Sequence, residues 1–174
     1  MRETKKLALS AMLVALGIVF MSVGYLLEIA DLTACALASL LVVFAYIELG
    51  SPYTWLVWLA TSAIAAMVFS ASPVWSEYLL VFGIYPIVKA YIERLPRVLW
   101  WPLKLVFINC VLWVIMLVIE GLFGIPVLQA ENGIMKIILY ITANVAFVVY
   151  DLYIVAMTKV YVFKFRKRFE RFLK

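Results

Sequence analysis

The chain has 174 residues, of which 68% are hydrophobic and 14% are charged, and its formal net charge is +5. Soluble domains are about 45–50% apolar and about 25% charged, so this composition excludes an ordinary water-soluble fold and predicts a protein embedded in lipid. The sequence has no histidine, which excludes zinc proteases of the H-E-x-x-H type, Ser-His and Cys-His hydrolases, and haem proteins with a histidine axial ligand.

Six apolar segments follow one another between short polar connectors. The first comes directly after the basic start and is long enough to span a bilayer. No signal-peptidase cleavage motif follows it, so we predict a membrane helix rather than a signal peptide. Runs of this length exclude β-barrel strands, which are about 9–11 residues long. The sequence predicts an all-α, single-domain bundle, residues 1–174, with six transmembrane helices at about 7–27, 32–49, 53–72, 77–93, 98–123 and 134–162.

The basic residues divide very unequally between the two sides of the predicted bundle. If the N-terminus is cytoplasmic, 14 of the 15 Lys and Arg residues fall in cytoplasmic segments, and only Lys136 falls outside. Cytoplasmic loops of membrane proteins carry such an excess of positive charge. The sequence therefore predicts that both termini are cytoplasmic.

A basic tail, residues 163–174, ends the chain. Phe165, Phe169 and Phe172 recur there at i, i+4 and i+7 among lysines and arginines. This spacing predicts an amphipathic helix on the cytoplasmic membrane surface, where anionic lipid attracts basic residues. The membrane explains the tail, so nucleic acid is not a predicted partner.

Two ionisable residues, Lys89 and Asp151, are predicted to lie at membrane depth. An isolated charge there costs about 2.5–3.5 kcal/mol on insertion scales. Because the two residues fall at matched depth, we predict an interhelical ion pair beneath a polar layer of Tyr85, Asn109 and Asn144. Two simpler interpretations remain: these residues only lock helices together, or Lys89 extends to the interface.

Acidic and aromatic residues gather at the predicted outer side, where Glu28, Asp31 and Glu131 also lie. An acidic and aromatic outer surface attracts a cation or stacks on a planar ring, although aromatic residues are common at every membrane interface. We predict a substrate pocket, with a few fixed hydrogen bonds in an apolar cleft, lined by Trp75, Glu77, Tyr85, Asn109, Glu120, Tyr140 and Asn144. Cys35 and Cys110 lie in apolar runs and are predicted to be apolar thiols, so neither a metal nor a cofactor is predicted.

Small residues form one face of the first helix. Ala8, Ala11 and Ala15 recur at i, i+3 and i+7, and the last two form an A-x-x-x-A motif. Small residues four apart let another helix backbone approach closely, so this face is a predicted docking surface for a partner. The alternative is that it packs within this bundle.

The short basic start, the run Lys6-Leu-Ala-Leu-Ser-Ala-Met-Leu-Val-Ala15 and six spans with both ends inside resemble the substrate-binding S component of energy-coupling factor (ECF) transporters. The resemblance covers the whole chain in topology and about fifteen residues in motif. It implies a vitamin or micronutrient binder in a bacterial plasma membrane. In that family the A-x-x-x-A motif, here Ala11 and Ala15, docks a transmembrane coupling subunit. Two cytoplasmic ABC-type ATPases would supply energy, since this chain has no G-x-x-x-x-G-K-[ST] motif.

Two other functions stay open. The first is a scaffold of S-component-like fold that organises cell-envelope machinery through helix contacts and needs no cavity between the fourth, fifth and sixth spans. The second is an intramembrane enzyme with Asp151 as acid or base. The sequence has no paired carboxylates at metal spacing and no D-x-x-x-D motif with basic partners, so we predict that the chain is not an enzyme.

Overall fold

The computed structural model describes residues 3–27, 31–124 and 133–166, and these residues form helices and no strands. The helices are α1 (Glu3–Leu27), α2 (Asp31–Glu48), α3 (Ser51–Val68), α4 (Val74–Glu77), α5 (Tyr85–Ile92), α6 (Arg97–Phe123) and α7 (Gly133–Val160), with π-helical turns at Tyr78–Phe82 and Tyr161–Phe165. Five helical segments are long and apolar enough to cross a membrane. The predictions of an all-helical fold and of a multi-pass membrane protein are confirmed.

Five predicted spans match long helices within a few residues, but the fourth differs. The continuous helix predicted at 77–93 is instead α4, a π-helical turn and α5 in succession. None of the three pieces is long enough by itself to cross a bilayer. Backbone groups freed by such a break must find other partners at membrane depth.

Trp58 of α3 satisfies one of these freed groups. In an α-helix the Gly83 N–H would bond to the Leu79 carbonyl, but here it donates to the Tyr78 carbonyl, 2.7 Å away. The Leu79 carbonyl instead accepts a hydrogen bond from the indole N–H of Trp58 at 3.2 Å. A side chain from another helix therefore stabilises the π-helical turn.

Tyr150 of α7 satisfies a second carbonyl. Pro86 has no N–H, so it cannot donate to the carbonyl of Phe82 four residues earlier. The Tyr150 hydroxyl donates to this carbonyl at 3.0 Å. The break in the fourth segment is thus held from both sides, by α3 and by α7.

The tightest helix packing joins α1, α2 and α3. On α1, Ser10, Gly17 and Gly24 are buried seven residues apart. A Cβ atom added to Gly17 would lie 3.3 Å from the Thr61 methyl group, so a larger residue at this position would crowd α3. By contrast, the predicted alanine face is exposed at all three positions, Ala8, Ala11 and Ala15. The alternative that this face packs within the bundle does not hold.

Contacts between helix ends define one end of the bundle. Tyr53 at the start of α3 hydrogen-bonds to Glu3 at the start of α1. Tyr161, just after α7, donates to Glu48 at the end of α2 at 3.0 Å. We call this the basic end, because it carries nine of the ten basic residues in the described ranges. The tenth, Lys136, lies at the start of α7. The nine are Lys5, Lys6, Lys89, Arg94, Arg97, Lys104, Lys159, Lys164 and Arg166. Of the predicted tail, residues 167–174 lie outside the described residues.

Candidate functional site

An ion pair lies between α5 and α7. Lys89 and Asp151, which are 4% and 2% exposed, are in direct contact, so the structure contains the pair that the sequence predicts. The Tyr85 hydroxyl, one turn before Lys89, donates to the Asp151 carboxylate at 2.5 Å. Asp151 therefore receives two donors from one face of α5.

Lys104 of α6 and Glu93, directly after α5, extend this pair. The Lys104 ammonium lies 3.0 and 3.1 Å from the two carboxylate oxygens of Asp151 and 2.9 Å from the Glu93 carboxylate. Lys89 is also 2.9 Å from Glu93. Sequence reasoning missed both residues, although the i, i+4 spacing of Lys89 and Glu93 was a usable signal.

Tyr85, Lys89, Glu93, Lys104 and Asp151 together form the charge cluster. Two ammonium groups meet two carboxylates, so its formal charges balance. Each buried charge has opposite charges within hydrogen-bond distance, which offsets the cost of removing it from water. Because the members come from α5, α6 and α7, the charge cluster ties these three helices together near the basic end of the bundle.

Aromatic side chains fill the space beside the charge cluster. The Tyr85 ring lies 4.7 Å from the ring of Phe147, 5.6 Å from Tyr150 and 5.8 Å from Phe107, measured between centroids. Ile108 and Ile154 complete this buried group. The interior between α5, α6 and α7 is therefore packed at this level.

Asn109 and Asn144 meet across α6 and α7, as their matched depth predicts. The Asn144 amide donates to the Asn109 side-chain oxygen at 3.2 Å. Each amide also donates to a carbonyl of its own helix, at 2.7 Å for Asn109 and 3.0 Å for Asn144. Tyr85 does not join this layer, because its hydroxyl bonds to Asp151. That part of the predicted polar layer is wrong.

The structure does not gather the seven predicted pocket residues. Tyr85 is engaged with Asp151, and the two asparagines pair with each other. Tyr140 is exposed on α7, and Glu120 is half-buried on α6. A cavity of about 470 Å³ between α1, α2 and α7 contains none of them. The predicted pocket is thus distributed over separate regions.

Trp75 and Glu77 both belong to α4, which lies at the end opposite the basic end and contacts α2. The Cys35 thiol is 3.9 Å from the Val74 carbonyl, which joins α2 to α4. Glu77 lies within electrostatic reach of Asp31. One Asp31 carboxylate oxygen and the Trp75 indole N–H are buried and have no hydrogen-bond partner among the described residues. We call Asp31, Trp75 and Glu77 the outer polar group, after the outer side that the sequence predicts for them; Glu28 and Glu131 lie outside the described residues.

Buried groups of this kind are normally hydrogen-bonded to protein, water or ligand. The outer polar group offers one donor and one acceptor that a small polar molecule could satisfy.

Cys35 is buried and Cys110 is exposed, so only the first fits a buried thiol. Within the described ranges, no group of three or more His, Cys, Asp or Glu residues could hold a metal ion. No protein-family model, curated protein or solved structure matches this chain.

Proposed function

We propose that this chain is the substrate-binding membrane subunit of an ECF-type transporter. In this proposal it captures a small, vitamin-like nutrient at the outer side of a bacterial plasma membrane, and both of its termini are cytoplasmic. It catalyses no reaction. A transmembrane coupling subunit and two ABC-type ATPases would move the bound nutrient inward.

The observation that carries the proposal is the exposed alanine face of α1. Ala8, Ala11 and Ala15 lie on the side of the helix that faces away from α2 and α3. Lipid tails pack against any apolar surface, whereas a flat stripe of small residues allows another helix to approach closely. The face is therefore suited to a partner helix, as the resemblance to S components implies.

Larger side chains on the alanine face should prevent a partner helix from docking. In an Ala11→Leu/Ala15→Leu variant, added isobutyl groups would hold a partner backbone away, and we expect at least a tenfold loss of co-purifying coupling subunit and ATPases from the native membrane. The matched control is Ala63→Leu, which adds the same group to an exposed position of α3. Wild-type protein that brings down no coupling subunit, or equal recovery from the variant, would contradict the proposal.

The outer polar group supports capture from the outer side. Its unpaired donor on Trp75 and acceptor on Asp31 are buried, and a ligand that satisfied either group would gain a fixed hydrogen bond inside an apolar site. We therefore propose that substrate binds beside Trp75 and Glu77 rather than at the asparagine pair, whose members already bond to each other and to their own helices.

Removing one donor tests this placement. A Trp75→Phe variant retains an aromatic ring but loses the indole N–H, and we expect about a tenfold decrease in the small molecule that mass spectrometry detects after denaturing the purified protein. Trp113→Phe, at an exposed position of α6, is the matched control. If wild-type protein releases no small molecule and a vitamin panel causes no thermal shift, substrate binding is refuted.

One observation favours the scaffold as a second candidate. The rings around Tyr85 fill the space between α5, α6 and α7, and a scaffold needs no cavity there. It would use the same alanine face to hold another membrane protein. Co-purification of cell-envelope proteins in place of a coupling subunit would support this function.

A further inference from the structure

A long apolar groove runs between α1, α2 and α7. Its volume is about 470 Å³, and its walls include Leu9, Met12 and Leu16 of α1, Leu41 and Phe44 of α2, and Tyr161. The rings of Phe44 and Tyr161 are 5.1 Å apart edge to face and join the α2 and α7 sides. Thr158 and Tyr161 supply the hydroxyl groups of the lining, and the other side chains are apolar.

Both outer walls of the groove lead to basic residues at the basic end of the bundle. On α1, Lys5 precedes Leu9 by one turn and continues the same face at i, i+4, i+7 and i+11 through Leu16. On the opposite wall, Phe165 lines the groove and Arg166 follows it. A basic residue therefore lies one turn beyond the α1 wall, and another lies one residue beyond the opposite wall.

A carboxylate also lies at this mouth, but it is already engaged. Glu48 at the end of α2 accepts a hydrogen bond from Tyr161 at 3.0 Å and lies 3.7 Å from the Arg166 guanidinium. At the start of α1, the end of α2 and the described segment after α7, two acidic residues, Glu3 and Glu48, are outnumbered by four basic residues, Lys5, Lys6, Lys164 and Arg166. The mouth is therefore net positive.

We propose that this groove binds one acyl chain of an anionic phospholipid, whose headgroup phosphate lies between Lys5 and Arg166. An apolar channel that ends at positive charge complements an amphiphile with a negative head. The walls carry large side chains such as Leu16 and Phe44, unlike the flat alanine surfaces that let helix backbones approach. The groove therefore suits a narrow, flexible chain better than a partner helix. This inference does not depend on the transport proposal.

The test uses full-length protein reconstituted in bilayers of equal phosphatidylglycerol and phosphatidylcholine, extracted gently and weighed by native mass spectrometry. We expect one phosphatidylglycerol per chain to remain bound, in about tenfold excess over phosphatidylcholine. A Leu16→Trp/Leu41→Trp variant fills the groove and keeps every basic residue, and it should retain at least tenfold less lipid. Leu59→Trp, at an exposed position of α3, is the matched control and should retain lipid normally.

A second variant tests the headgroup site without changing the core. Lys5→Gln/Arg166→Gln should still retain a lipid but should lose the preference for phosphatidylglycerol. Preference that persists in this variant would overturn the proposed headgroup site, even if the groove-filling variant failed to fold. Equal lipid retention by a folded groove-filling variant would show surface adsorption only, and a co-purifying protein in a lipid-free groove would show a partner helix; either result overturns the proposal.

Discussion

An Asp151→Ala variant is expected to lose about 3–5 kcal/mol of unfolding free energy, because it leaves buried ammonium groups without their shared partner. Lys89 and Lys104 both contact Asp151, and each is under 5% exposed. Only Glu93, which is half-buried, would remain to balance two positive charges. Unfolding in mixed micelles at increasing dodecyl sulfate, followed by circular dichroism, would measure the loss.

Two comparisons distinguish this effect from the general cost of removing a carboxylate. Glu3→Ala removes an exposed carboxylate that pairs with Lys6 and accepts a hydrogen bond from Tyr53, so it should cost much less stability than Asp151→Ala. An Asp151→Ala/Lys89→Met variant leaves Lys104 paired with Glu93 and should recover part of the stability. Equal stability of Asp151→Ala and Glu3→Ala would mean that the charge cluster does not hold these helices together.

The depth of residues along their helices predicts part of the charge cluster but not all of it. Counting residues from the helix ends predicts that Lys89 and Asp151 lie at one level. Because an unpaired charge in hydrocarbon is costly, two opposite charges at that level are expected to pair. Lys104 lies at a similar level of α6, but a lysine near the start of a membrane helix is equally typical of the positive charge of a cytoplasmic segment. The depth of a residue follows from its position along one helix, so it can be predicted from the sequence. The five-residue charge cluster also depends on how each helix is rotated about its axis, which the sequence does not show.

The unknown rotation of each helix about its axis explains why the predicted pocket residues do not meet. Tyr140 and Asn144 are one turn apart on α7, yet the first is exposed and the second is half-buried against Asn109. Composition gives no preferred side to a helix that is apolar all around. The predicted pocket residues therefore have different neighbours from those that their positions along each helix suggested. The alanine face of α1 can be located from the sequence, because small residues mark a surface that differs from the rest of the helix.

The break in the fourth segment was only partly visible. Pro86 lacks the N–H that would donate to the Phe82 carbonyl, so the sequence itself marks a weak point in this helix. The position of the π-helical turn could not be predicted, because its carbonyls are satisfied by Trp58 and Tyr150, which are distant in sequence. Local sequence shows where a helix is weak, and tertiary hydrogen bonds decide how it reorganises.

Gly83 allows this reorganisation, and a Gly83→Ala variant is expected to lose about 2–6 kcal/mol of unfolding free energy. The added methyl carbon would lie 2.6 Å from Cδ1 of Trp58 and 2.9 Å from the Tyr78 backbone oxygen, so either the indole or the π-helical turn must move. Overpacking costs about 1–3 kcal/mol, and a Leu79 carbonyl left unpaired by a displaced indole costs about 1–3 kcal/mol more.

Two further variants separate these contributions in the same unfolding measurement. Trp58→Phe removes the hydrogen bond to Leu79 without the clash, so it should lose less stability than Gly83→Ala. Gly121→Ala makes the same substitution in α6, where an added methyl carbon has no atom within 4 Å, and alanine should stabilise the helix by up to about 1 kcal/mol. If Gly83→Ala were as stable as Gly121→Ala, the fourth segment would not depend on a close approach of α3. Because a glycine inside a helix otherwise only weakens it, a large loss would show that Gly83 is needed for this contact.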